Sequence, residues 1–306
     1  MKHSVSKALI LFENGKISEA LGEFLFVLKD KPDNIPALTG KARCLLNYIY
    51  DDKKLKDGSD TIDKIIKDLE HESPDILLLK AKFLWRKRHH NKALRQIEYI
   101  KDTWGSEYPE LVYTEGRILA SHSMKRFKEA LELSEKLSAK ERNFIQGRIA
   151  HLKGFSAQNS EERKRHHIDA IALFKKSFEI DFDVYDDGAV DNLIISSLHV
   201  NEKENLLEAI RIGKLFLSKN PNSYIANKIA VNIAQCYVSL TWLTYDFDPN
   251  SYAFEMKSGN SFSIVNKTRR KELAQEFIDF IEEMQTTQNE LFEPEQIDDV
   301  MRTLLH

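Results

Sequence analysis

One pattern constrains this chain more than any other. Helix-length segments come in pairs, each pair joined by a short turn, and the pair is written again and again. Residues 5–34, VSKALILFENGKISEALGEFLFVLKDKPDN, read as a helix, a turn at Asn14-Gly15, a second helix and a stop at Pro32. In the second helix Ala20, Phe24, Val27 and Leu28 recur at helical spacing. Each segment has one apolar face, so neither persists alone and each must bury that face on a neighbour.

The same pattern returns downstream. Second helices are expected around Ile62-Ile66-Leu69 before Pro74, Ala93-Ile97-Ile100, Ala130-Leu133-Leu137, Ala170-Phe174-Ser177 and Ala209-Ile212-Phe216 before Pro221. The alanine-to-proline step is the same at both ends of the series, Ala20 to Pro32 and Ala209 to Pro221. A repeat this regular means that neighbouring units stack into one continuous core.

Composition agrees with long helices and short turns. The chain of 306 residues holds 11 Gly and 7 Pro, and 30% of it is charged. Its net charge of −3 gives no global bias toward nucleic acid or anionic membrane. Cys44 and Cys236 stand far apart and suggest a reducing compartment. The apolar run Ala8 to Phe12 is too short for a signal-peptide core, and no window reaches the roughly 20 apolar residues of a membrane span. A cytoplasmic protein with no membrane partner is expected.

The units resemble tetratricopeptide repeats. Gly15, Ala20, Phe24 and Pro32 carry the likeness in the first unit, ISEAL at 17–21 and FKEAL at 127–131 match the start of the second helix, and Ala209 and Pro221 match in the sixth. The resemblance covers residues 4–240 and departs from the family in its variable unit lengths and missing signature aromatics. It implies an all-α fold, a right-handed superhelical solenoid of helix pairs with a concave groove, and protein or peptide binding rather than catalysis. The family's well-known carboxylate clamp of Lys, Asn and Arg is absent, because the matching slots hold Val5, Leu9, Leu38, Asp75 and Leu79. The array is expected over 1–243. Residues 244–306 are expected to form a loop and C-terminal capping helices, the first through Leu273, Phe277, Phe280, Ile281 and Met284 and the last from Glu293-Pro294. Docking of a partner by the last helix is the alternative.

RKRHH occurs twice, at 86–90 and 163–167. Both copies are expected just ahead of a second helix, the first closing a first helix, the second ending an insert. Cations in a last turn oppose the negative helix end. Adjacent histidines on a helix point about 100° apart and chelate poorly, so no metal and no cofactor is expected. DFDVYDDG at 181–188 lacks the ligand spacing of a calcium loop. No GxxxxGK[ST], GxSxG or HExxH motif is present, and no catalytic residue is assigned.

First helices carry a small residue followed by a cation: Gly40-Lys41, Ala81-Lys82, Gly116-Arg117 and Gly147-Arg148. One turn on come Cys44, Trp85, Ala120 and His151. The resemblance implies that the cations face the groove. Lys41, Lys82, Trp85, Arg86, Arg117, Arg148 and His151 are therefore the candidate partner-binding residues, suited to an acidic or extended segment. An ordinary solvated helix face is the competing reading. The expected role is a noncatalytic scaffold, adaptor or regulatory subunit, with nucleic acid as the alternative ligand of the same basic groove.

Overall fold

The computed structural model describes residues 3–48, 51–105, 108–180, 187–220, 225–243, 272, 275–280 and 282. Among them every regular element is a helix. These are α1 (Val5–Glu13), α2 (Ile17–Asp30), α3 (Ile35–Leu45), α4 (Asp52–Lys67), α5 (Pro74–Arg86), α6 (His90–Trp104), α7 (Pro109–Leu119), α8 (Phe127–Ser134), α9 (Ala139–Ser156), α10 (Ser160–Ile180), α11 (Asp187–Val200), α12 (Lys203–Lys219) and α13 (Ala226–Leu243). The chain divides into two compact units, Met1–Ile149 and Ala150–His306.

Local chemistry sets the helix ends. Ser4, Asn34 and Ser73 cap α1, α3 and α5 by accepting hydrogen bonds from the backbone N–H three residues on. Proline occupies the first turn of α3, α5 and α7, where its missing N–H costs nothing. Gly15 and Gly105 take positive φ, 72° and 60°, at the turns that end α1 and α6. Replacing Asn34 by Ala, which removes a 2.9 Å bond to Ala37 N, should cost about 1 kcal/mol. Chemical denaturation checks this, and an unchanged midpoint would mean that the α3 cap carries no stability.

In the first unit α1 packs on α2, α3 on α4, α5 on α6 and α7 on α8, and each pair packs on the next through α2–α3, α4–α5 and α6–α7. The first helices α1, α3, α5 and α7 also touch in succession. Three apolar clusters fill the seams in order. Ala8, Ala20, Phe24, Ala37 and Cys44 fill the first. Leu38, Leu45, Leu55, Ile62, Ile65, Ile76 and Phe83 belong to the second. Leu77, Leu78, Ala93, Ile97, Ile100, Leu111 and Ile118 belong to the third. No seam closes without the helix that follows it, which is the packing logic of a repeat.

In the second unit α10, α11, α12 and α13 pack in sequence, and α11 also packs on α13. Phe277 and Phe280, each 1% exposed, lie with ring centroids 5.8 and 6.4 Å from Tyr237 of α13. Leu273, Ile281, Met284, the expected loop at 244–262, the last helix, Pro221 and residues 181–186 lie outside the described residues.

The second RKRHH copy departs from expectation. It lies inside α10, not ahead of it. Asn159 Oδ1 accepts from Glu162 N at 2.7 Å and starts the helix early, so the copy occupies the first two turns. The first copy behaves as expected, ending α5 and spanning the turn to α6.

Candidate functional site

The first helices of the first unit bring Lys41 (α3), Lys82, Trp85 and Arg86 (α5), Arg117 (α7) and Arg148 (α9) into place, all of them half-buried. They do not form a uniform positive stripe. Lys41 Nζ lies 2.7 Å from Asp57 Oδ1 of α4, and Lys82 Nζ is ion-paired with Glu110 of α7. Such surface pairs are worth little in stability, but they neutralise two of the expected cations.

Arg117 is different. Its guanidinium carbon sits 5.0 Å from the Trp85 ring centre, 5.4 Å from Tyr113 and 5.3 Å from Phe144. Arg86 shares the Trp85 ring, also at 5.0 Å. Tyr113 and Phe144 meet edge to face at 5.8 Å. Arg117 Nε is buried and has no hydrogen-bond partner among the described residues. No ion pair among them includes Arg117. A cation held by three rings is kept in place by attraction to their faces, while its terminal N–H groups remain donors for a carboxylate or phosphate.

The sequence pointed to the cations and Trp85 but missed Tyr113, Phe144, Asp57 and Glu110. A signal existed for the rings, since Tyr113 and Phe144 stand one turn before Arg117 and Arg148, the spacing at which helix side chains meet. None existed for Asp57 and Glu110, which lie 16 and 28 positions from their partners.

His151 belongs to the second unit and is 5% exposed, so it offers no surface to a partner. Its Nδ1 is 2.9 Å from Ser196 Oγ, and the same oxygen lies 3.2 Å from His167 Nδ1. His167 stacks on His199 with ring centres 4.6 Å apart and planes 7° from parallel. Phe155 meets all three imidazoles edge to face. Burial, with His199, Arg163 and His166 nearby, lowers the His167 pKa to about 4.

This cluster has the residue types of a metal centre or a Ser–His dyad without the geometry of either. Ring lone pairs lie in the ring plane, so two stacked imidazoles cannot converge on one ion. Among the described residues no group of His, Cys, Asp and Glu is placed to hold a metal. Ser196 and His167 are both 0% exposed, which closes them to a substrate. Cys44 and Cys236 are buried and free, and burial pushes both thiols up to about 12, the opposite of a reactive cysteine. No helix among the described residues is long and apolar enough to cross a membrane.

No family model and no curated protein matches the chain. Among solved structures it is similar to human IFIT1, a tetratricopeptide-repeat protein seen as a dimer with m7Gppp-AAAA. That match has 16% identity and a TM-score of 0.50, over 95% of this chain and 68% of that one. The IFIT1 dimer with PPP-AAAA matches at 16% identity and TM-score 0.49, over 95% and 67%. The P58(IPK) TPR domain matches at 15% identity and TM-score 0.22, over 98% and 97%. The fold is a tetratricopeptide-like, all-α solenoid.

Proposed function

We propose that the chain is a noncatalytic interaction scaffold, an adaptor or regulatory subunit of the cytoplasm, that binds an acidic or extended segment of a partner protein along the first helices of its first unit. Arg117 carries this reading. A guanidinium fixed by three aromatic rings and lacking a carboxylate among the described residues is organised before any ligand arrives, which lowers the entropy lost on binding. Trp85 supplies an aromatic anchor beside it. Lys41 and Lys82 take a secondary part, exchanging Asp57 and Glu110 for a carboxylate of the partner. The cytoplasmic setting is supported by two buried thiols that remain unpaired.

A second reading, single-stranded nucleic acid, has one specific observation in its favour. Trp85 stands beside two guanidinium groups, a setting that also stacks bases and neutralises phosphates. Human IFIT1, similar in fold, is seen with m7Gppp-AAAA.

Affinity purification of the tagged full chain, with and without nuclease, separates the two readings. The expected result is a nuclease-resistant partner captured by the native chain and lost when Lys41, Lys82, Arg117 and Arg148 are all changed to Glu. A partner that the variant retains would move the site elsewhere on the chain. Partners that vanish with nuclease would favour nucleic acid.

A further inference from the structure

The four cations that follow the small residues on α3, α5, α7 and α9 do not present four free charges. Lys41 and Lys82 are neutralised by Asp57 and Glu110. Arg86 and Arg148 both hold other interactions within the chain. What remains is Arg117, with no ion pair among the described residues and Nε buried without an acceptor. Its surroundings are aromatic: Trp85, Tyr113 and Phe144 stand within 5.4 Å of its guanidinium carbon. Trp85 and Tyr113 are only half-buried, so apolar surface borders the open edge of the cation.

Resting on the scaffold reading above, we infer that the Arg117 site accepts one carboxylate, presented by a partner segment directly beside an aromatic or large aliphatic side chain, and that it does not select a run of acidic residues. The charge count supports one anion. A dianionic phosphate or an acidic stretch gains only where several available cations converge, and here Lys41 and Lys82 would have to give up their ion pairs while Arg86 and Arg148 already hold other interactions. A carboxylate takes two parallel N–H donors from the guanidinium fork. The apolar neighbour then covers Trp85 and Tyr113, and excluding water strengthens the ion pair beneath it. Arg is required here, because Lys offers a point charge with neither the fork nor the flat face that stacks on rings.

The test is selection of peptides from a randomised display library on the full native chain, with parallel selections on Arg117→Lys and Arg117→Glu. Circular dichroism melts of all three establish that the variants fold. The expected enrichment is a single Asp or Glu fixed next to Trp, Tyr, Phe or Leu, absent from both variant selections. The enriched peptide, remade with a fluorophore, should bind the Arg117→Glu chain roughly ten- to a hundredfold more weakly than the native one. Enrichment of acidic runs that Arg117→Glu abolishes would overturn the single-carboxylate inference and leave the scaffold site standing. Enrichment that Arg117→Glu leaves intact, or none at all, would overturn the inference and the Arg117 site with it. A short single-stranded oligonucleotide that displaces the enriched peptide at lower concentration than the unlabelled peptide would overturn the inference in favour of nucleic acid.

Discussion

Acid should loosen the second unit well before its carboxylates titrate out, with His167 as the main cause. His167 is 0% exposed and its pKa in the folded chain falls from an ordinary 6.5 to about 4, chiefly through burial, then through His199, Arg163 and His166. The unfolded chain takes up this proton near pH 6.5, the folded chain only near pH 4. Between those values the unfolded state holds more protons, so stability falls as the pH is lowered. The full contribution is present above pH 6.5 and is lost by pH 4, at most about 3 kcal/mol. His199 shifts in the same direction, by burial and Arg163, and adds to the slope.

Urea unfolding at several pH values between 4 and 7 measures it. His167→Gln, which cannot titrate, should give a flatter profile over that window at a lower stability. Native and variant profiles of equal slope would show that the buried imidazole is not the acid-labile element. The contacts say why the group stays neutral. His167 Nε2 is buried with no hydrogen-bond partner among the described residues, and Gly154 packs so close that a Cβ there would lie 2.7 Å from it, so a proton at that nitrogen would find no acceptor.

Gly40→Ala and Gly116→Ala should act in opposite directions although they occupy the same slot of the repeat. A Cβ on Gly40 would lie 2.2 Å from Phe24 Cζ. That ring is 0% exposed and cannot swing aside. Forcing a methyl into such a core typically costs about 1–3 kcal/mol, occasionally more. The better helix propensity of Ala returns about 1 kcal/mol, so a net loss of up to about 2 kcal/mol is expected. On Gly116 the nearest atom would be Ile145 Cδ1 at 3.6 Å, an ordinary contact. The same exchange there should stabilise by about 0.5–1 kcal/mol. Chemical denaturation of the two variants decides the matter. A destabilised Gly116→Ala, or a neutral Gly40→Ala, would mean that the interhelix distances differ from those described.

This pair also shows how far the sequence could be read. The sequence shows these slots as a small residue ahead of a cation, and at Gly40 the slot is a close approach by Phe24. Nothing in the sequence separated Gly40 from Gly116, because the difference is which side chain arrives from another helix, Phe24 in one case and Ile145 in the other. Gly58 escaped notice altogether. Its Cβ would lie 2.3 Å from Phe83 Cζ, a contact between α4 and α5 that no spacing within α4 announces.

What the sequence determined by itself was the periodic part. Ala20, Ala93, Ala130, Ala170 and Ala209, chosen by spacing alone, are all 0% exposed, because the 3.6-residue period puts them on the one face that a neighbouring helix must cover. The turn at Gly15 and the helix pairs were legible for the same local reason. The tertiary structure alone decided what the charges do. Lys41, Lys82, Arg117 and Arg148 are equivalent in the repeat, yet two are neutralised from other helices and one is ringed by aromatics. His151, expected beside them, is sealed against Ser196. Periodicity fixes which face a residue occupies, whereas a side chain's partner depends on residues far away in the chain that only packing brings near.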